Sequence, residues 1–337
     1  MKAVIFEGPD QPAMVREVKQ PIPGAKEVLI RIIAASLNRR DFWIKKGIYA
    51  GAEFPCIAGS DGSGTVEAVG PEADSGLLNK KVVINPSLNW GNNPLYHQPE
   101  FHILGLPRQG TLAQYISVPQ ESIWEKPIEY TFEQAAALPL AGLTAYRAMF
   151  TRGQLQEGEK VLITGAGGGV AGFLVKFASA KGAQVFVTSS HEKKIKKSIQ
   201  LGATDGVLYT DNEWHKNLKE QAGGGFDLII DSAAGANFEY LLSLLNTGGR
   251  IVIFGGTAGK IPAFTAAKLF YRQASILGTT MGSPEDFKNM LTFIQQNKIF
   301  PEIDRILPLE DTELAFKHME NQEQFGKIVI KVSEVIQ

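Results

Sequence analysis

The chain has 337 residues, of which 44% are hydrophobic, and its formal net charge at pH 7 is −1. A chain of this length can bury two cores, so two domains are expected. Acidic and basic residues are spread along the chain, which argues against an extended surface for nucleic acid or for an anionic membrane. With Cys56 as its one cysteine, the chain cannot form an intramolecular disulfide.

Residues 1–9 carry too short an apolar run for a signal peptide, and no stretch of the sequence approaches the ~18 apolar residues of a membrane span. These features predict a location in a reducing compartment, the cytoplasm.

Residues 1 to about 120 contain short β-type runs separated by stretches rich in Pro and Gly. The runs read KAVIF, EVLIRIIAASL, GSGTVEAVG, KKVVINP and TLAQYISVP. Few long helical patterns interrupt them, so this part of the chain is predicted to form a compact antiparallel barrel.

From about residue 127, strands alternate with helices. The buried-strand candidates are Val161–Thr164, Gln184–Thr188, Asp227–Asp231, Arg250–Phe254 and Ile276–Thr280. This order predicts a parallel, doubly wound sheet with right-handed crossovers. The tail contains a helical stretch from Ser283 through Asn297 and a strand pattern from Gly326 to Val332, which can rejoin the first domain.

A glycine-dense turn follows the first of these strands. Its residues include Gly165, Gly167, Gly168, Gly169 and Val170. Glycine lets the backbone approach a pyrophosphate, and the following helix directs N–H donors and the positive end of its dipole at that anion. The helix keeps apolar residues at helical spacing and ends at Gly182. The pattern predicts a βαβ unit that binds a dinucleotide.

Spacing does not decide which glycines approach the phosphate. The motif GxGxxG fits two registers, Gly167, Gly169 and Gly172 or Gly165, Gly168 and Ala171. A strand–turn–helix corner without a ligand is the alternative interpretation.

The second strand ends without the Asp or Glu that NAD-preferring folds place there for the ribose hydroxyls. Ser189, Ser190, Lys193 and Lys194 follow instead, and they suit a 2′-phosphate. A charge-assisted contact worth ~1.5–3 kcal/mol shifts preference about ten- to a hundredfold, so NADPH is the predicted cofactor. Glu192 as a ribose acceptor is the alternative.

Further cofactor contacts are predicted at the domain junction and near the carboxyl ends of the strands, where open α/β sheets bind ligands. These are Thr144, Phe254, Gly255 and Gly256. Gly255 and Gly256 are equally interpretable as a loop hinge.

Several motifs are spread over the whole chain. PCIAGSDGSGTVEAVG from Pro55, GTLAQYISVP from Gly110 and AAALPLAGLTAYR from Ala135 are followed by the glycine turn, Leu201–Ala203, Asp231 and Phe325–Lys327. In this order they resemble the medium-chain dehydrogenase/reductase superfamily. The resemblance implies an α/β fold, with a GroES-like antiparallel β-barrel domain from residues 1–126 and 282–337 and a Rossmann domain with a doubly wound parallel sheet from residues 127–281.

The departures from this family concern zinc. Asn38, Ser60 and Leu140 align with the three catalytic zinc ligands of its alcohol dehydrogenases, and a leucine side chain cannot ligate a metal. The four cysteines of the family's structural zinc are missing from residues 85–106. The chain therefore resembles the zinc-independent branch of quinone oxidoreductases and enoyl or alkenal reductases, and no metal site is predicted.

The remaining metal-binding alternative is weak. It pairs His97 and His102 with Glu100 or Cys56, whereas surface or loop-packing histidines explain the same sequence. His191, His215 and His318 lie among charged helix residues and are expected to face solvent.

The resemblance implies transfer of a nicotinamide hydride to a quinone or an α,β-unsaturated carbonyl. The developing enolate oxygen needs a hydrogen-bond donor or proton source, and the candidates are Asn38, Tyr49, Ser60 and solvent. The family places Asn38 beside the nicotinamide and Asp41 in support of its loop. A phenol carries its proton at neutral pH, so Tyr49 suits the acid, although it also suits the wall of an apolar pocket.

Family members commonly assemble as homodimers through edge strands of the Rossmann sheet, so a homodimer or homotetramer is expected, with RIVIFG and SILGTT as candidate edges. Two other functions stay open. One is a nucleotide-binding redox sensor or scaffold without turnover, and the other is an alcohol dehydrogenase with unconventional metal ligands.

Overall fold

The computed structural model describes residues 1–335. Two compact units divide the chain. Unit 1 comprises Met1–Ala141 and the segment from Gly282 onward, and unit 2 is Gly142–Met281. Residues 127–141, which the sequence analysis places in the second domain, lie in unit 1 because Phe132 and Ala136 pack in a cluster with Ile33 and Val329.

The elements of residues 1–141 are mainly short strands. In chain order they are β1 (Lys2–Ile5), β2 (Met14–Glu17), β3 (Glu27–Ser36), α1 (Arg39–Lys45), β4 (Asp61–Val69), β5 (Lys81–Ile84), β6 (Ser87–Leu88), β7 (His102–Ile103), β8 (Tyr115–Pro119), β9 (Ile123–Glu125) and α2 (Phe132–Ala136).

Strands and helices then alternate. In chain order they are α3 (Pro139–Tyr146), a π-helical segment (Arg147–Arg152), β10 (Lys160–Ile163), α4 (Gly169–Ala180), β11 (Gln184–Ser189), α5 (Glu192–Gln200), β12 (Asp205–Leu208), α6 (Trp214–Gln221), β13 (Phe226–Asp231), α7 (Phe238–Leu244), β14 (Leu245–Ile253), α8 (Ala267–Phe270) and β15 (Ser275–Gly278). The last elements are α9 (Pro284–Gln296), β16 (Ile303–Pro308), α10 (Thr312–Glu320) and β17 (Lys327–Lys331).

The main sheet of unit 1 is built around β3. Its strand order is β16-β17-β3-β4-β5-β9, and β8 also pairs with β3. The ten residues of β3 are almost all buried, as its apolar sequence EVLIRIIAAS leads one to expect. The antiparallel register sets Ser36 opposite both Asp61 of β4 and Val329 of β17, so polar residues at these strand ends converge.

The GroES-like fold predicted for this part of the chain is confirmed, with one departure from an antiparallel sheet. β16 pairs with β17 in parallel. The physical reason is the crossover through α10, because a parallel pair needs a long connection rather than a hairpin. The predicted C-terminal strand joins β3 in the first unit.

Unit 2 contains a six-stranded parallel sheet in the order β12-β11-β10-β13-β14-β15. This confirms the predicted doubly wound sheet. The central strands carry continuous apolar runs such as Val161–Ile163 and Leu228–Ile230, which are buried on both faces of the sheet. The strand order reverses between β10 and β13, and ligands bind at such a switch point in open α/β sheets.

Two details of the predicted sheet need correction. Strand β12 was not predicted, because its sequence DGVL is short and only Val207 in it is buried. The segment RIVIFG is not an edge, since Arg250–Ile253 pair with both β13 and β15. Strand β15, which contains SILG, does lie at an edge of the sheet. Within residues 1–335, no helix is both long enough and apolar enough to cross a membrane.

Candidate functional site

The glycine turn of unit 2 has a backbone that favours glycine. Gly165 and Gly167 have φ angles of 71° and 109°, in the left-handed region where other residues are strained. A Cβ atom on Gly167 would lie 2.5 Å from Cδ of Lys194, so the lysine stem packs directly over the turn. Helix α4 begins at Gly169 with Gly168 as its N-cap, which places the positive end of the helix dipole at the turn. The pyrophosphate of a dinucleotide fits this arrangement.

The end of β11 is tied to the same turn. The Ser189 hydroxyl is buried, donates to the carbonyl of Ala166 at 3.3 Å and accepts from the N–H of His191 at 3.3 Å. Both contacts are to backbone, so Ser189 holds the strand end in place.

The other predicted 2′-phosphate contacts differ in exposure. Ser190 and Lys194 are half-buried, and Lys193 is exposed. Glu192, the alternative ribose acceptor, forms an ion pair with Lys196 at 2.8 Å on the exposed surface of α5. Of these side chains, Lys194 is therefore packed against the turn, while Glu192 has a cation partner on its own helix.

A polar pair marks the switch point of the sheet. The Thr164 hydroxyl donates to Oδ1 of Asp231 at 2.7 Å, and Oδ2 of Asp231 accepts from the N–H of Ala234 at 2.7 Å. Nearby, a Cβ atom on Gly255 would lie 2.5 Å from the carbonyl oxygen of Ser232, so only glycine permits this close approach of two backbones.

The remaining predicted cofactor contacts lie in the same unit. Phe254 is half-buried and donates its N–H to the carbonyl of Asp231 at 3.1 Å. Gly256 would accept a Cβ atom without close contact, so sterics do not require glycine there. Thr144 is buried in α3, with 5% of its surface exposed.

Unit 1 contains a buried polar cluster built on Lys327. Its ammonium donates to Oδ2 of Asp61 at 2.9 Å, to Oδ1 of Asn38 at 2.5 Å and to the carbonyl of Leu37 at 2.9 Å. Nδ2 of Asn38 donates to Asp61 at 2.8 Å, which closes a three-membered network. Lys327 is 3% exposed and Asp61 is 0% exposed, so both charges are held away from water.

Further donors complete the coordination of the Asp61 carboxylate. The Ser36 hydroxyl donates to it at 3.2 Å, and the N–H of Leu140 donates at 2.8 Å. A buried carboxylate is stable only with such a set of partners. Asp61 thus organises the cluster.

Asp41 has a structural position at the start of α1. Its carboxylate accepts from the N–H of Asn38 at 2.8 Å and from the N–H of Gly59 at 3.2 Å. Burial raises the pKa of the Asp41 carboxyl, while the neighbouring Arg40 acts in the opposite direction. These contacts support the interpretation of Asp41 as a residue that holds the loop.

Arg40 links two of the predicted catalytic residues. Its Nη1 donates to the Ser60 hydroxyl at 2.7 Å and to the carbonyl of Leu104 at 2.9 Å. Its guanidinium carbon lies 4.9 Å from the ring centre of Tyr49, and Nε is 3.5 Å from the phenol oxygen. Ser60 is 0% exposed, whereas Tyr49 is half-buried. The structure therefore brings Ser60 and Tyr49 together through a residue that the sequence analysis did not select.

Comparison with known proteins identifies the family. The model "Alcohol dehydrogenase GroES-like domain" matches residues 24–128, and the model "Zinc-binding dehydrogenase" matches residues 169–296. The zinc-type alcohol dehydrogenase-like protein YogA of Leptosphaeria maculans is 35% identical over 345 residues, covering 95% of this chain and 95% of the relative. The chain belongs to the medium-chain dehydrogenase/reductase superfamily.

Similarity to other proteins also extends over nearly the full length of the chain. The quinone oxidoreductase of Homo sapiens is 29% identical, covering 95% of this chain and 94% of that protein. A crystal structure of an NAD-dependent alcohol dehydrogenase has a TM-score of 0.93 and 35% identity, covering 99% of this chain and 100% of that one. The predicted family is confirmed.

The catalytic zinc of the superfamily's alcohol dehydrogenases does not fit the residues found here. Oδ1 of Asn38 accepts from the Lys327 ammonium, and the hydroxyl of Ser60 accepts from the Arg40 guanidinium. Leu140 has no ligating side-chain atom and turns its N–H towards the cluster. Two cations bonded to the would-be ligands also repel a divalent ion. Within residues 1–335, no group of three or more His, Cys, Asp and Glu side chains is arranged to hold a metal.

The other metal-binding candidates are explained by packing. His97 stacks on Phe101 with ring centres 4.4 Å apart, and Nδ1 of His102 contacts the carbonyl of Glu100 at 3.1 Å. Burial raises the pKa of the Cys56 thiol to about 11, as expected for a small core residue.

One histidine prediction is wrong. His318 is 7% exposed and faces protein, because its ring contacts Asp304 at 2.9 Å and Glu323 at 3.1 Å. The charged neighbours that suggested a solvent-facing position are its hydrogen-bond partners.

Two residues of the site escaped sequence analysis. Lys327 lies in the motif Phe325–Lys327, and Arg40 lies in the loop between Asn38 and Asp41. Neither was given a role, because a lone basic residue is usually solvated. Their positions in the sequence could have identified them, because each lies in or beside a motif that contributes other residues to the site.

Proposed function

We propose that this chain is an NADPH-dependent reductase that transfers a hydride to a quinone or another α,β-unsaturated carbonyl without zinc. The observation that carries the proposal is the replacement of zinc ligands by Asn38, Ser60 and Leu140, two of which bond to buried cations. The similarity to a protein named quinone oxidoreductase supports the substrate class. A conjugated carbonyl spreads the developing charge over several atoms, so a metal is not chemically required.

The proposed cofactor site lies in unit 2. A bound reduced nicotinamide dinucleotide supplies the hydride. The turn from Gly165 to Gly169 would hold its pyrophosphate, and Lys194 with Ser190 would hold the 2′-phosphate. In support of NADPH, β11 ends without an acidic residue and Glu192 is paired with Lys196. Because the chain is also similar to the crystal structure of an NAD-dependent alcohol dehydrogenase, NADH is tested alongside NADPH.

The proposed roles in unit 1 follow from exposure and contacts. Half-buried Tyr49 is the proposed proton donor, because it combines an accessible phenol with a neighbouring cation. Asn38 is held on both sides of its amide by Lys327 and Asp61, so it offers a fixed orientation. Ser60 is fully buried and is proposed to act through Arg40.

The test is oxidation of NADPH and of NADH by a panel of quinones and enones, with and without a chelator. Zinc content of the purified protein and oxidation of simple alcohols are measured in parallel. We expect turnover that prefers NADPH by about tenfold or more and is unchanged by chelation. Tight NADPH binding without turnover supports a sensor or scaffold instead. Stoichiometric zinc with chelator-sensitive alcohol oxidation supports an alcohol dehydrogenase with unconventional ligands.

We also propose a homodimer formed through β15. This strand is an edge of its sheet, and Ile276 and Leu277 in it are half-buried. Phe270 and Tyr271 nearby are 68% and 83% exposed, which is unusual for aromatic side chains outside an interface. Light scattering after gel filtration is expected to give the mass of a dimer for the wild type and of a monomer for Tyr271→Asp. A tetramer extends the proposal, and a wild-type monomer contradicts it.

A further inference from the structure

Arg40 is a buried cation with neutral partners. It is 8% exposed, and its hydrogen bonds go to a hydroxyl, a backbone carbonyl and, at 3.5 Å, a phenol. Within residues 1–335 no carboxylate forms an ion pair with its guanidinium. Buried charges in proteins are normally paired, because desolvation of an isolated charge is very unfavourable.

The charged and titratable groups around Arg40 do not neutralise it directly. Asp41 interacts with the guanidinium through space, but both of its carboxylate oxygens accept from backbone N–H groups. Tyr49 contributes the face of its ring at 4.9 Å. Asp61 is bonded to Lys327. The guanidinium fork is therefore fixed at Nη1, and Nη2 makes no hydrogen bond to the described residues.

The Arg40 guanidinium lies next to a residue that aligns with a zinc ligand of the superfamily's alcohol dehydrogenases. Ser60, which aligns with the histidine ligand of zinc, accepts a hydrogen bond from Arg40 at 2.7 Å. The guanidinium thus lies against the place where the superfamily's alcohol dehydrogenases hold their Lewis acid. A planar guanidinium presents its remaining N–H donors to an oxygen with developing negative charge.

We propose that Arg40 binds the carbonyl oxygen of the substrate and stabilises the enolate that forms there, in the role that zinc has elsewhere in the superfamily. This inference rests on the proposed reductase function. The C–H bond that carries the hydride on the reduced nicotinamide breaks, so the cofactor is oxidised, and a new C–H bond forms at the β-carbon of the substrate, which is reduced. The C=C electron pair moves to the bond between the α-carbon and the carbonyl carbon, and the C=O pair moves onto oxygen. Arg40 balances that charge. The enolate then collapses to a carbonyl as its α-carbon takes a proton from Tyr49 or water, which is left as the conjugate base and is reprotonated from solvent, because a guanidinium does not release its own proton.

The kinetic test compares Arg40→Met and Arg40→Lys with Arg39→Met. Arg39 is a matched control, since it lies on the same helix and donates to the carbonyl of Met319 at 3.3 Å, outside the cluster. We expect kcat for an enone to fall about 10²–10³-fold in Arg40→Met, less in Arg40→Lys and within a few-fold in Arg39→Met. The Kd for NADPH is expected to be unchanged in all three variants.

A binding test separates this inference from the reductase proposal. The probe is 4-nitrophenol, whose oxyanion mimics an enolate and whose absorption spectrum reports ionisation. Wild-type protein is expected to bind the anion and to shift its spectrum, and Arg40→Met is expected to lose the shift. If the wild type turns over no acceptor, the proposed function fails, yet anion binding that depends on Arg40 still supports the site. Equal anion binding by the wild type and Arg40→Met overturns the inference. If Arg40→Met does not fold, Arg40→Lys decides, because wild-type kcat and wild-type anion binding in that variant contradict a guanidinium-specific role.

Discussion

Replacement of Lys327 by Met tests the buried ion pair of unit 1. Met keeps most of the length of the lysine stem but removes the ammonium that bonds to Asp61, Asn38 and the Leu37 carbonyl. Asp61, at 0% exposure, would keep a buried charge with only uncharged partners. Removing one partner of a buried pair costs about 3–5 kcal/mol, so we expect that loss in the free energy of unfolding of unit 1.

The assay is urea unfolding followed by tryptophan fluorescence. Of the four tryptophans, Trp43, Trp90 and Trp124 lie in unit 1 and Trp214 in unit 2. A Trp214→Phe background therefore reports the unfolding of unit 1 alone. The midpoint and slope of that transition give the free energy by linear extrapolation.

The matched control is Lys331→Met in the same strand, β17. Lys331 is 42% exposed and pairs with Glu334, which is 84% exposed, so its loss is expected to leave the unfolding midpoint close to that of the wild type. We expect the double variant Asp61→Asn with Lys327→Met to lose less free energy of unfolding than the two single variants lose together. The difference is expected to be about 1 kcal/mol or more. A loss for Lys327→Met no larger than for Lys331→Met, or strict additivity, would refute the reasoning.

Three further predictions concern pH, the thiol and the cofactor. Burial tends to raise the pKa of Glu27, but hydrogen bonds from Arg108, Ser117 and the Gly24 N–H outweigh it and lower the pKa. This stabilisation is present above the ordinary glutamate pKa of about 4.3 and is lost as pH falls through the lowered value. Glu27→Gln is therefore expected to lower the free energy of unfolding by about 1.5–3 kcal/mol at pH 7. Urea unfolding repeated at acidic pH is expected to show a smaller difference between the variant and the wild type. Since the pKa of Cys56 is raised to about 11, iodoacetamide at pH 8 is expected to label it only in urea, as measured by mass spectrometry. Lys194→Gln is expected to raise the Kd for NADPH about ten- to a hundredfold and to leave that for NADH unchanged.

Each of these predictions has a control on the same chain. Glu125→Gln removes an exposed carboxylate and is expected to cost under about 1 kcal/mol at any pH, so an equal loss for Glu27→Gln contradicts the argument. Rapid labelling of native protein contradicts a buried, protonated Cys56. Lys196→Gln, on the exposed side of α5, is expected to keep wild-type affinity for NADPH, and an equal effect of both lysine variants contradicts a specific phosphate contact.

The Rossmann sheet was predictable because its central strands are recognisable from their local sequence. Val161–Ile163 and Leu228–Ile230 are apolar runs that are buried on both faces, and glycine-containing turns or helices bound them. Strand β12 was missed because Asp205–Leu208 contains a glycine and has one buried position, so pairing with β11 rather than composition makes it a strand. The edge position of β15 depends on strand order, which no local pattern contains.

The polar cluster was predictable only in part, because it is held together by long-range pairing. Alignment to the family pointed to Asn38 and Ser60, but the contact of Asn38 with Lys327 spans 289 positions of sequence. It arises from the register that sets β17 and β4 on either side of Ser36. A sequence pattern shows a basic residue in a C-terminal strand, and only the paired strands show which carboxylate it meets.

The two buried cations of the cluster in unit 1 differ in whether a carboxylate is bonded to them. Lys327 is matched by Asp61 at 2.9 Å, so its charge serves mainly to fix Asn38 and the strand ends. Arg40 is bonded to Ser60 and Leu104, which leaves its charge without a bonded anion. A zinc ion would combine both effects in one atom, since it organises its ligands and also polarises a substrate oxygen. Here the organising role belongs to an ion pair that is complete within the protein, and we propose that the polarising role belongs to the guanidinium of Arg40.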